Sequence, residues 1–316
     1  MAVNSILDVL IIGGGPAGLS TATGLARQLY TAVVFDSGVY RNQLATHMHN
    51  VLTWDHQSPA DFRSKGREDI LKRYATIKFQ DTEIKSVAKT QQGHFELKDA
   101  QGKTWTGRKL VLATGVRDVF PDIEGYGNCW ARGIFHCLFC HGFEEKNVAS
   151  AGVLAVGDLS SPFGSLHMAR MAKRLTPNVT IYTDGAKELA QQTLLAAADD
   201  DIKVEGRAIT LLEKGAKESS VVVYLEDGHK ITEGFLVHKP KSEVNGPFAH
   251  QLALELTDQG DIKTNGMFFE TSVPGVFAVG DCATPLKAVT QAVAMGSFGA
   301  GGLVSQLQIP VPKAQI

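Results

Sequence analysis

The stretch that most constrains this 316-residue chain lies near its start. Leu7-Asp8-Val9-Leu10-Ile11-Ile12 is an aliphatic run without helical period, which predicts a buried parallel strand. It leads into Gly13-Gly14-Gly15-Pro16-Ala17-Gly18 and an Ala- and Leu-rich segment that predicts a helix through about Leu29. A second strand, Thr31–Phe35, ends at Asp36. Glycines at this Gly-x-Gly-x-x-Gly spacing permit a tight turn and let the backbone approach a pyrophosphate at the helix N-terminus. The acid, 18 residues beyond Gly18, is placed to accept from an adenosine ribose hydroxyl. A glycine motif by itself would fit a plain tight turn; with both strands and the acid in register it predicts dinucleotide binding.

The pattern then repeats in coarser form. Lys109–Gly115 reads as a strand ending in the small-residue turn Ala113-Thr114-Gly115, and Thr271–Asp281 as a strand delivering Asp281 at its C-terminal end, where ligands of open α/β sheets bind. Between them lies a second α/β series: strand Gly152–Gly157, helix Ser165–Leu175, strand Val179–Thr183 and helix Lys187–Ala198. The predicted fold class is therefore α/β, with two nucleotide-binding-type three-layer domains, the second inserted in the first. Residues 1–116 and 245–316 make the first domain and 117–244 the second. A hydrophobic content of 44% supplies two cores and excludes disorder. The net charge of -2 offers no basic field for nucleic acid. No apolar run approaches a membrane span and the start lacks a basic leader, so a cytoplasmic protein is expected.

Four cysteines do not make a disulfide scaffold. Cys129 and Cys282 are expected to be small buried hydrophobes. Cys137 and Cys140 form Cys-x-x-Cys, with His136 and His141 on either side. Redox exchange is the favoured reading, because a two-residue spacer lets the pair close and can lower a thiol pKa. Three others stand beside it: the haem c attachment string Cys-x-x-Cys-His, a zinc site using His136, Cys137, Cys140 and His141, and an inert buried pair. A further cluster, His47, His49, Trp54, Asp55 and His56, has no cysteine or carboxylate at metal-ligand spacing, so no metal site is expected there.

Over essentially its whole length the chain resembles the thioredoxin-reductase-like flavoproteins. The features that carry this are the Gly13–Gly18 loop, Ala113-Thr114-Gly115, Cys137-Leu138-Phe139-Cys140 and the run Pro274–Asp281. Within that family it resembles the fungal dithiol oxidases of the gliotoxin-oxidoreductase type, through Phe35–Asn42, His47–Val51 and Gly280–Lys287. The resemblance implies a homodimer holding FAD. Implied cofactor contacts are Gly13, Gly15, Pro16, Ala17, Gly18, Asp36, Ser37, Arg41, Asn42, His49, Asn50, Ala113, Thr114, Gly115, Gly280, Asp281, Lys287, Ala288 and Val289. It implies catalysis by Cys137 and Cys140, with His141 or His136 as base where related reductases carry an acid after the second cysteine. A small-molecule dithiol of the epipolythiodioxopiperazine kind would be the substrate. O2 would be the electron acceptor, giving hydrogen peroxide.

The second domain departs from the reductase pattern. A reductase carries another glycine loop after the Gly152–Val156 strand; here it reads Gly157-Asp158-Leu159-Ser160-Ser161-Pro162-Phe163. Leucine replaces the second glycine and is expected to block a pyrophosphate, and Asp158 opposes its charge. Thr183-Asp184-Gly185-Ala186-Lys187 holds no arginine for a 2′-phosphate. Both point to lost NADPH binding. The rivals are an NADPH-dependent thioredoxin reductase and a non-catalytic flavin-binding regulator.

Overall fold

The computed structural model describes residues 6–198 and 200–308. The chain forms two compact units. The first contains the residues up to His47, Gln57–Arg117 and those from Glu243 onward; the second contains Met48–His56 and Asp118–Ser242. The segment 48–56, counted with the first domain from the sequence, thus belongs to the second unit. Among the described residues no helix is long and apolar enough to cross a membrane.

The first unit is built on a nine-stranded sheet. Its centre is parallel, in the order Val276–Ala278, Thr104–Leu112, Leu7–Ile12, Ala32–Asp36, Ile77–Asp81. Leu7–Ile12 is so apolar because it is covered on both faces. Val9 and Ile11 meet the helices Pro16–Arg27 and Val289–Leu307, while Leu10 and Ile12 meet a second core with Val87, Phe95 and Leu97. That third layer is the antiparallel hairpin Ile84–Lys89 and Phe95–Asp99. It joins the sheet because the nine-residue strand Thr104–Leu112 pairs antiparallel with Phe95–Asp99 over its first half and parallel with Leu7–Ile12 over its second.

The second unit repeats the scheme. Its parallel sheet has the order Lys203–Glu205, Asn178–Tyr182, Ser150–Leu154, Phe235–Val237, Ile134–Phe135. One face carries the helices Pro162–Ala172 and Lys187–Ala196 over Ala151, Val153 and Ile181. The other is covered by the antiparallel ribbon Ile209–Lys214, Val221–Leu225, Lys230–Glu233, packed with Tyr126 and Trp130. The helix predicted from Ser165 begins three residues earlier, because Ser161 Oγ caps it by accepting from the Gly164 amide and Pro162 is pre-shaped for the first turn.

Candidate active site

In the first unit the Gly13–Gly18 loop joins the Leu7–Ile12 strand to its helix as expected. Gly13 has φ +118°, and a Cβ there would come within 2.2 Å of the Ala113 carbonyl, so only glycine fits beside the Ala113-Thr114-Gly115 turn. Asn245 clamps that turn, donating from Nδ2 to the Thr114 carbonyl at 3.0 Å and from its amide to Gly115 O at 3.1 Å. Gly15 is different. Its backbone is extended (φ −76°, ψ −176°) and a Cβ would meet nothing within 4 Å. Neither conformation nor packing within the protein demands glycine there. A ligand drawn up to the backbone does, and the helix N-terminus beginning at Pro16 and Ala17 faces the same loop. This cradle fits a pyrophosphate.

Asp36 ends its strand buried, with Oδ2 accepting from Tyr40 Oη at 2.6 Å and Oδ1 from the Gly38 amide at 3.0 Å. Burial and that bond push the Tyr40 phenol up to about 12, so it stays a donor. Ser37 Oγ accepts from Val39, and Asn42 Oδ1 from Arg63 at 2.9 Å. Arg41 pairs with Asp281 at 3.3 Å, which ties the loop after Asp36 to the end of the Val276–Ala278 strand. Gly280 precedes Asp281, and Ala288 and Val289 open the long C-terminal helix.

The Lys287 ammonium has its partners within the protein. Its three N–H bonds go to Asp261 Oδ1, the Asp281 carbonyl and the Thr284 carbonyl at 2.8 to 2.9 Å. The ammonium is fully used in shaping the turn that presents Asp281. His49 and Asn50 lie in the second unit. His49 Nδ1 lies 2.7 Å from the Cys140 carbonyl, and the Asn50 amide donates to Asp55.

In the second unit Cys137 and Cys140 are joined as a disulfide, with their Cα atoms 5.2 Å apart. Leu138 anchors the loop in the core and Phe139 stands exposed. The turn is held by the Cys140 and His141 amides, which donate to the Cys137 carbonyl at 3.1 and 2.9 Å. The Cys140 amide also approaches Cys137 Sγ at 3.1 Å, where it would stabilise a thiolate.

His141 stacks on Phe135, ring centroids 3.9 Å apart, and its Nε2 lies 2.7 Å from Glu145 Oε1. A carboxylate only accepts, so the proton of the neutral ring sits on Nε2 and Nδ1 is left as the base. Glu145 is buried and also accepts from Ser219 Oγ at 2.6 Å. Burial raises its pKa, but the bonds from His141 and Ser219 outweigh this and hold it below the ordinary carboxylate range. Sequence reading missed Glu145. Its signal was the i,i+4 spacing from His141. His136 stacks on Trp130, centroids 5.8 Å apart.

Cys129 and Cys282 are buried free thiols. Burial pushes Cys129 up and Cys282 to about 11, so both are poor thiolates.

In the second nucleotide loop Leu159 is not placed to block a ligand. The Leu159 side chain is turned into the core, away from any ligand. The loop forms a 3-10 turn, Gly157–Leu159, with Asp158 in its middle 3.7 Å from Lys239. After the next strand Asp184 Oδ1 accepts from the Ile209 amide at 2.7 Å, and Arg207 is taken up by Glu205 and Asp227. No cationic cluster for a 2′-phosphate stands there among the described residues.

The family described as pyridine nucleotide-disulphide oxidoreductase matches residues 7–296. Thioredoxin reductase aclD of Aspergillus oryzae is 47% identical over 305 residues, 96% of each chain. Thioredoxin reductase sirT of Leptosphaeria maculans is 45% identical over 305 residues, 94% of this chain and 93% of that protein. An oxidoreductase from Agrobacterium tumefaciens matches with a TM-score of 0.86 at 31% identity, covering 97% of this chain and 100% of the other.

Proposed function

Since the chain belongs to the pyridine nucleotide-disulphide oxidoreductase family and is a flavin-dependent thiol/disulfide oxidoreductase, we propose that it is an FAD-dependent dithiol oxidase. Its substrate is a small-molecule dithiol of the epipolythiodioxopiperazine kind, its electron acceptor is O2, and it works as a homodimer. The reaction serves toxin maturation and self-protection, because a closed disulfide is less reactive than the free dithiol.

His141 Nδ1 takes the proton of a substrate thiol, and the thiolate attacks Cys137 Sγ, breaking the Cys137–Cys140 bond and releasing the Cys140 thiolate. The substrate's second thiolate then attacks its own sulfur in the mixed disulfide. The product leaves as a cyclic disulfide, and Cys137 departs as a thiolate onto which the Cys140 amide is already directed. The substrate has lost two electrons and two protons, and the cysteine pair holds the two electrons. The Gly13–Gly18 loop with Asp36 and Asp281 would hold FAD, which when bound would supply the two-electron acceptor for the cysteine pair and the reductant for O2, giving hydrogen peroxide.

The observation that supports oxidase over reductase is the second loop, a 3-10 turn that sets the acidic Asp158 where a reductase carries a glycine loop. The reductase reading rests on the relatives' name, thioredoxin reductase. Anaerobic mixing separates the two: the flavin bleaches with a small dithiol such as dithiothreitol and stays oxidised with NADPH. Rapid stoichiometric bleaching by NADPH would restore the reductase.

A further inference from the structure

Among the described residues one cluster of histidine and carboxylate side chains outside the thiol chemistry brings its ligand atoms together. His49 Nε2 lies 2.9 Å from His56 Nδ1 and 3.1 Å from Glu144 Oε1, and all three atoms fall within 4.8 Å of one another. They line a cavity of about 350 Å³ with Asp55, Phe143 and Lys146.

The hydrogen bonding of His49 shows what such a cluster needs. The Cys140 carbonyl can only accept, so His49 Nδ1 carries the proton in that 2.7 Å contact and Nε2 presents a lone pair. Glu144 presents carboxylate lone pairs to the same point. A neutral imidazole cannot satisfy that contact, and a single cation placed among the three atoms satisfies all of them. The Cys140 carbonyl then stands as the outer partner that fixes ring orientation and tautomer in histidine–metal sites. Tetrahedral zinc with bonds of about 2.0–2.1 Å needs ligand atoms about 3.3–3.4 Å apart, so the two contacts of His49, at 2.9 and 3.1 Å, have to open by only a few tenths of an ångström. Asp55 adds negative charge to the cavity wall. Lys146, the opposing charge, lies 3.8 Å from the Phe143 ring centroid.

We propose that His49, His56 and Glu144 form a binding site for a divalent transition-metal ion of the zinc class, with its fourth position open to the cavity. The carboxylate missing from the sequence spacing comes from 88 residues further on. The site is independent of the oxidase reading, since no step of that chemistry passes through it.

The test uses tag-free, flavin-loaded, full-length protein with its disulfide closed. Calorimetric titration with Zn2+ is expected to show one ion per chain. Glu144→Gln and His56→Ala, both at exposed positions, are each expected to weaken binding by at least about 10-fold. A Cys137→Ser/Cys140→Ser variant keeps the wild-type affinity. X-ray absorption of the zinc-loaded protein supplies a reading that needs no variant: nitrogen and oxygen neighbours near 2.0 Å and no sulfur near 2.3 Å. Binding no tighter than about 1 mM overturns the site. So does wild-type affinity in either ligand variant, loss of binding in the cysteine variant, or a sulfur shell in the absorption data.

Discussion

Replacing Glu145 with glutamine isolates what the buried carboxylate does for His141. The side chain keeps its shape and an oxygen that can accept from Nε2, but loses the charge. A hydrogen bond to a charged group contributes about 1.5–3 kcal/mol, against about 1 kcal/mol for a neutral one. If that difference is felt where His141 takes up a proton, the barrier rises by about 0.5–2 kcal/mol. At 1.36 kcal/mol per tenfold this is about 2- to 30-fold in rate. The assay is anaerobic stopped-flow bleaching of the flavin by dithiothreitol near pH 7, for wild type, Glu145→Gln, His141→Ala and the double variant. His141→Ala is expected to slow reduction by about 100-fold or more, with partial recovery as pH rises toward the thiol pKa of about 8.5. In the double variant Glu145→Gln should add little, because its partner is gone. Wild-type reduction by Glu145→Gln refutes the arrangement. So does a Glu145→Gln effect of the same size with and without His141, which would mean that the carboxylate acts on something else.

Cys137→Ser and Cys140→Ser should both abolish turnover with FAD retained. The lone Cys137 thiolate of Cys140→Ser should attack an added linear disulfide such as hydroxyethyl disulfide, giving a mixed disulfide and one free thiol, and an adduct found by mass spectrometry on Cys140 of Cys137→Ser but not on Cys137 of Cys140→Ser would reverse the two roles. Gly15→Ala should weaken FAD binding while leaving the thermal midpoint of the flavin-free protein close to wild type, because a Cβ there meets no protein atom within 4 Å. A Gly15→Ala protein that binds FAD as tightly as wild type removes the loop from the cofactor site. His238 is buried on Tyr126 Oη at 2.7 Å, and burial lowers its pKa to about 4. The unfolded chain protonates it near 6.5 and the folded chain resists until about 4. Stability should therefore fall as pH drops through that window, by an order of 3 kcal/mol. Urea midpoints at pH 7 and 4.5 should converge in His238→Gln relative to wild type; an unchanged pH slope counts against the assignment.

The features legible in the sequence are those whose chemistry is local. The Gly13–Gly18 loop, Asp36 at the end of its strand and the Cys137–Cys140 spacing each fit within one turn or one strand–helix unit, so the run of residues already carries the geometry. What was missed depends on which way a side chain turns. Glu144 and Glu145 are adjacent acids on a short 3-10 helix, and only packing decides that the second is buried on His141 while the first faces His49. Leu159 was read as a barrier because of its bulk, yet the chain buries that bulk in the core and leaves Asp158 outward. The three oxygens that converge on the Lys287 ammonium come from residues up to 26 positions away, which no local pattern shows.

The division of the chain has a practical result for anyone recombining relatives of this enzyme. The boundary between the two units is crossed after His47, His56, Arg117 and Ser242, because nine residues, Met48–His56, belong with the disulfide loop rather than with their sequence neighbours. A graft that moves 118–242 alone carries the cysteines into a host whose own version of His49 must accept a foreign Cys140 carbonyl. Breakpoints that respect the molecule come as two pairs, and the short cassette has to travel with the long one.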